Sequence, residues 1–262
     1  MPRPLPTIFI GHGSPMNAIQ NNAYTEAWAL LGARIPRPKA ILCISAHWYV
    51  EGTLVTAMPQ PRTIYDFDGF PRELREVVYP APGDMSVAER VCDVLAPTPV
   101  GLDHRWGLDH GTWSVLVHMY PNADIPVVQL SIDETQPAAF HYDLGRRLAH
   151  LRDEGVLVIG SGNIVHNLET LAWGTPSVAP FPWARRFENR ARSLLDANEH
   201  EPLVNFAELG EDAQLSIPTP EHYLPLLYIL GARREGECVR YPVEGIDLGS
   251  ISMLSVQFGE ID

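Results

Sequence analysis

The chain has 262 residues, 45% of them hydrophobic and 19% charged, the balance of a globular protein long enough to bury a sizeable core. Its formal charge of -13 at pH 7 excludes the basic surface that nucleic-acid phosphates demand and opposes docking on an anionic membrane. No apolar run approaches the length of a membrane span, and the N-terminus lacks the apolar core of a signal peptide, so the cytoplasm is the expected compartment.

A strand is predicted over 7–10, running into Gly11-His12-Gly13-Ser14-Pro15. A helix over 22–33 follows, with Tyr24, Ala27, Trp28 and Leu31 on one apolar stripe. Strands over 40–46 and 53–58 come next, the first ending at His47-Trp48. The stretch 59–84 holds five prolines together with Tyr65, Phe67, Phe70 and Tyr79. It is too apolar for a flexible linker and is expected to fold over the sheet rim as a wall or lid, or to lie at the interface of a homo-oligomer.

Asp84 caps a helix over 86–95, and another is predicted over 112–119. Pro137 opens a helix that runs to about 154 and is stopped by Gly155. Strands over 125–131 and 156–160 are almost continuously apolar, as central strands covered on both faces should be. Helices over 163–172, 183–198 and 220–231 complete the pattern with a strand over 251–258 nearer an edge. Strands alternating with helices predict a three-layer α/β fold, a central sheet, largely parallel or mixed, flanked by helices. No repeat or composition break divides it, so 1–262 reads as one domain.

Cys43, Cys92 and Cys238 are odd in number and far apart, and no CxxC pair exists for a zinc ribbon or redox motif. Cys43, within an apolar strand, reads as a small buried hydrophobe. The histidines are more informative. His12 and His47 each stand where an apolar strand enters a loop, and in an open α/β sheet such ends converge on the crevice that holds the site. Two neutral imidazoles at one rim suit zinc, iron or copper.

His166 follows the turn Ser161-Gly162-Asn163 and is expected in the first turn of the 163–172 helix, whose positive end would depress its pKa. There it would serve as a general base or a further ligand. In Pro220-Glu221-His222, one of the two ionisable neighbours faces the ion, since adjacent helical residues point about 100° apart. His110 has a carboxylate neighbour in Asp109 and suits substrate binding or proton transfer. His118 reads as structural, and His104, His141, His150 and His200 receive no role.

Five blocks in order carry a resemblance: Gly-His12-Gly-Ser-Pro-Met-Asn, Ser-Ala-His47-Trp, Asp-His110-Gly-Thr-Trp, Ser-Gly-Asn-Ile-Val-His166-Asn and Pro-Glu-His222-Tyr-Leu-Pro-Leu. Together they resemble the DOPA 4,5-dioxygenase type of extradiol ring-cleavage enzyme, which is similar to the catalytic subunit of protocatechuate 4,5-dioxygenase, across essentially the whole chain. The resemblance implies a single catalytic extradiol dioxygenase-like domain over 1–262. It implies one divalent metal per chain, Zn(II) or Fe(II), on His12, His47 and His222, with His166 as acid/base or a further metal contact and His110 as a second catalytic histidine. It further implies a catechol such as L-DOPA and O2 as substrates, with O2 inserted next to the diol to give a muconic semialdehyde. The protocatechuate enzyme has a glutamate where this chain offers Glu221-His222. A three-histidine set is also the pattern of catalytic zinc, which keeps open a zinc-dependent hydrolase using metal-bound water, with Ser14 or Ser161 amides as oxyanion donors.

Overall fold

In the computed structural model, which describes residues 3–172 and 178–261, the elements follow one another much as the periodicity predicts. The first half contains β1 (Thr7–Gly11), α1 (Ala23–Arg34), β2 (Ala40–Val50), β3 (Thr53–Thr56), α2 (Met85–Leu95), β4 (Val100–Asp103) and α3 (His110–Met119). Then come β5 (Val127–Asp133), α4 (Ala138–Leu148), β6 (Val156–Gly162), α5 (Pro182–Asp196), α6 (His200–Val204), α7 (Glu211–Ser216) and α8 (Leu224–Ala232). The short strands β7 (Val239–Arg240), β8 (Ile246–Asp247), β9 (Ile251–Ser252) and β10 (Val256–Phe258) close the chain.

Eight strands form one mixed sheet in the order β4-β3-β5-β2-β6-β1-β10-β7. The central run β5-β2-β6-β1 is parallel, so the carboxyl ends of β2, β6 and β1 open on the same rim. Antiparallel pairing enters where β3 meets β5 and where β1, β10 and β7 meet one another. Alternation along each strand builds two cores. Phe9, Leu42, Ile44 and Val158 face α2, α4, α5 and α8, whereas Ile10, Ile41, Cys43 and Ile159 face α1 and α3. Helix α8 is buried along its whole length between α4 and the sheet, which is why it is apolar all round.

Local signals explain several boundaries. Asn22 and Thr25 form a reciprocal capping box at α1, and Asp84 accepts from the Ser86 and Val87 amides at α2. Helix α4 tightens into a 3-10 turn over Ala149–Glu154 and ends at Gly155, whose φ of 87° requires the left-handed region.

Other expectations need correction. The 163–172 helix does not form; only Leu168–Thr170 makes a 3-10 turn. The amides of Asn163, His166 and Asn167 donate instead to the distant carbonyls of His222, Ser216 and Ser250, which a helix would not permit. The 251–258 strand is two pieces, with Ile251–Ser252 paired to β8 in a small hairpin and Val256–Phe258 in the main sheet. The predicted 220–231 helix begins at Leu224, and α6, α7, β4, β7 and β8 carried too few periodic residues to be foreseen.

Buried His141 pairs its Nδ1 with the Tyr228 hydroxyl at 3.0 Å, and burial lowers its pKa to about 4. It therefore stays neutral in the folded chain while the unfolded chain protonates near pH 6.5. Its contribution is full above that pH and is lost progressively as pH falls toward 4. His141→Gln should flatten that dependence. In denaturant unfolding, the native chain should lose roughly 2 kcal/mol more than the variant between pH 7 and pH 5.

Candidate active site

The site is assembled from segments that leave the carboxyl rim of the sheet. His12 follows β1 directly, its amide donating to the Gly162 carbonyl at 3.1 Å and its carbonyl accepting from Asn17 Nδ2 at 3.1 Å. His47 does not end its strand, as expected, but sits in an irregularity within β2. Residues 45–48 of β2 stand opposite Ser131 alone between the pairs Ile44–Leu130 and Tyr49–Ile132. Such a break in pairing re-aims a side chain that a regular strand would place in the core. His222 lies just before α8, its carbonyl held by the Asn163 amide at 2.8 Å. A Cβ on Gly162 would stand 2.1 Å from that carbonyl, so only glycine admits the segment so close.

One ligand nitrogen from each of His12, His47 and His222 lies within 4.8 Å of the other two. Hydrogen bonding assigns the tautomers of His12 and His222, and the facing Asp66 carboxylate that of His47. The Ser161 hydroxyl donates its one proton to the Gly111 carbonyl at 2.5 Å, so at 3.0 Å it must accept from His12 Nδ1–H. His222 Nδ1–H donates to Glu221 Oε1 at 3.0 Å, and His47 Nδ1–H faces Asp66 Oδ2 at 3.2 Å. Each ring thus keeps a bare Nε2. Those of His12 and His47 face each other across 3.2 Å, lone pair toward lone pair. Two ligands about 2.0–2.1 Å from a tetrahedral ion stand roughly 3.3 Å apart, so a cation between them fits the spacing and removes the repulsion. A second partner on the far nitrogen is also the usual companion of a ligating histidine.

The electrostatics agree. Burial, followed by the neighbouring imidazoles, pushes His12 and His47 well below the usual histidine range. Burial lowers His222 despite the opposing Glu221 carboxylate. Against the upward push of burial, the His222 hydrogen bond holds Glu221 down to about 2. Glu221 therefore stands behind His222 as a carboxylate, and with His166 and His222 it also forms a group whose ligand atoms lie within 4.8 Å of one another.

His166 lies beside this group, its ring stacked on that of His222 with centroids 3.5 Å apart and planes 7° off parallel. Its pKa is lowered to about 2, by burial first and His222 second, not by a helix end. Its backbone bridges Ile251, and among the described residues no hydrogen bond engages its ring nitrogens. His110 opens α3 with its ring centroid 3.8 Å from that of His47.

The expected partnership of His110 with Asp109 is wrong. Asp109 turns away to cap α3 and accepts from Ser45 Oγ at 2.7 Å and Gln129 Nε2 at 2.6 Å, its pKa raised to about 6 by burial and then by Asp66. The partner of His110 is Asp66, which takes both its amide and its Nδ1–H at 2.9 Å. Asp66 was missed because it lies 44 residues upstream in the 59–84 loop, with no periodic signal. That loop does wall the site: Phe67, Phe70 and Pro71 line a cavity of about 700 Å³ with the five histidines at its floor. His118 is structural as expected, bound to the Asn17 carbonyl at 2.8 Å. Ser161, whose amide was the alternative oxyanion donor, is buried within β6, paired with Ile10 of β1 on one side and Ser45 of β2 on the other.

A family model, the catalytic LigB subunit of aromatic ring-opening dioxygenase, matches residues 6–249. The chain is 54% identical over 259 residues to a 4,5-DOPA dioxygenase extradiol of Escherichia coli (strain K12), covering 97% of this chain and 95% of that one. A protein of the same description from Beta vulgaris is 39% identical, with 96% of each chain covered. A crystal structure of an uncharacterized Escherichia coli K12 protein superposes with a TM-score of 0.85 at 51% identity, over 97% of this chain and 100% of that one.

The far-nitrogen partners generate a test. Asp66→Ala and Glu221→Ala should each weaken Zn(II) binding about 10–100-fold, measured by chelator competition, with the three imidazoles still present.

Proposed function

The chain belongs to the LigB family of aromatic ring-opening dioxygenases, and from that premise we propose that it opens catechols such as L-DOPA on the extradiol side, inserting O2 next to the diol to give a muconic semialdehyde. The observation that carries the metal half of this reading is the 3.2 Å approach of two bare imidazole nitrogens. His12, His47 and His222 would hold one divalent metal per chain. When bound, that metal supplies Lewis acidity toward both catechol oxygens and, as Fe(II), the open positions and redox capacity that dioxygen chemistry needs and Zn(II) lacks. Iron is therefore the working metal in this proposal, and zinc a non-redox substitute.

The chain's own residues do the rest. His166, neutral and without a hydrogen bond on its ring, takes a proton from a catechol hydroxyl and returns it to the oxygen that takes up charge as the O–O bond breaks, both atoms of O2 being retained in the product. Its ring lies flat on His222, which supports a role as acid/base beside the ligands. His110, fixed through Nδ1 on Asp66, turns its other nitrogen to the cavity as a second catalytic histidine. Phe67, Phe70, Leu168 and Leu171 cover the ring and limit water at the reacting carbons. We treat 1–262 as one catalytic domain, because a single sheet separates the two cores. No helix among the described residues is long and apolar enough to cross a membrane. Three free cysteines suit the cytoplasm proposed as its compartment.

The test is oxygen uptake on L-DOPA after anaerobic Fe(II) loading, with a yellow semialdehyde product. His12→Ala should lose both metal and uptake. His166→Gln should retain the metal while kcat falls about 10²–10⁴-fold. Stoichiometric metal with no uptake on any catechol would sink the proposal.

A further inference from the structure

Beyond the imidazole cluster, the cavity is asymmetric in charge. Its described lining includes Asp66, Asp68 and Asp247 but no lysine or arginine. Asp66 is engaged by His47 and His110. Asp68 is paired with Arg75 at 2.8 Å, and that same guanidinium also donates to the Phe67 carbonyl. Asp247 differs: the side-chain hydrogen bond it receives is from the adjacent Leu248 amide, at 2.9 Å.

The sheet pattern places Asp247 relative to the reacting end. Asp247 pairs with Ile251 across the β8–β9 hairpin, and Ile251 bridges His166 on its other side. Directly paired residues project to the same face, so Asp247, Ile251 and His166 form a row, and all three line the cavity. Two inter-strand steps separate the backbones of Asp247 and His166 by roughly 10 Å. The hairpin tip is held in place. Leu248 has a φ of 49°, strained for a leucine, and its carbonyl accepts from the Ala172 amide, while that of Gly249 accepts from Phe181.

We infer that Asp247 is an ammonium subsite, and that the enzyme selects catechols whose side chain carries an amine over those whose side chain ends in a carboxylate alone. This rests on the dioxygenase reading for the orientation of the diol toward the histidines. With the diol there, a short side chain runs along Ile251 toward Asp247. An ammonium gains a charge-assisted hydrogen bond, and a lone carboxylate meets a like charge with no lysine or arginine among the described lining residues to offset it.

The experiment compares kcat/KM for dopamine, L-DOPA and 3,4-dihydroxyphenylpropionate on the Fe(II)-loaded chain. It adds titration of the metal-free chain with tyramine and 3-(4-hydroxyphenyl)propionate, which bind without turnover. Dopamine should exceed the dihydroxyphenylpropionate about tenfold or more, with L-DOPA between them, and tyramine should bind more tightly than its acid counterpart. Asp247→Asn keeps the size and the oxygen that accepts from Leu248, and should narrow both ratios about tenfold. Asp247→Glu should restore part of the preference. Equal values for amine and acid, or ratios unchanged in Asp247→Asn, would overturn the subsite. Discrimination in the titration without oxygen uptake on any catechol would overturn the dioxygenase reading and still support the subsite.

Discussion

Two lone pairs facing each other at 3.2 Å are the constraint around which the rest of this structure is arranged. A neutral imidazole bonded through Nδ1 has an unprotonated Nε2, and two such atoms repel unless something positive stands between them. The arrangement persists because each ring is pinned from behind by a different part of the chain. Ser161 on β6 holds His12, Asp66 on the 59–84 loop holds His47, and Glu221 ahead of α8 holds His222. Burial reinforces this by keeping all three rings neutral, the form in which imidazole binds metal.

Asp66 links the lid to the chemistry. It is contributed by the same loop that supplies Phe67 and Phe70, and its two oxygens reach His47 and His110 together. Displacing the loop would therefore release the His47 and His110 rings in one movement. Asp109 performs a complementary task one residue before His110. Through Ser45 it steadies the irregular segment of β2 that carries His47, and through Gln129 it ties that segment to β5. Burial of this carboxyl is supported by its full set of donors, including the Thr112 amide at the start of α3.

Much of the architecture was legible because it rests on local periodicity. β1, β5 and β6 are short apolar runs, and α1, α2 and α4 carry their own stop and start signals at Asn22, Asp84 and Gly155. The supposed helix over 163–172 failed for an identifiable reason: its apolar residues and turn signals resemble a helix start, yet its amides find better partners in Ser216, His222 and Ser250. Those partners lie about 50–80 residues away in sequence and leave no trace in a local window. For the same reason the second-row carboxylate was sought next to His110, at Asp109, when it lay in the lid.

What the sequence determined by itself was the set of chemical groups and the layer in which each would sit. Apolar alternation requires a covered sheet, strand ends deliver His12 to its rim, and an apolar, proline-rich stretch must fold back over something. The tertiary structure alone decided how those groups are aimed. A ring's tautomer depends on which hydroxyl or carboxylate meets its far nitrogen, and the outward turn of His47 depends on a register break against β5. The row joining Asp247, Ile251 and His166 exists only once three separate strand segments pair. Hydrogen bonds are directional and short-ranged, so they are defined by contacts that chain folding creates, whereas hydrophobic burial is non-directional and can be read from composition along the chain.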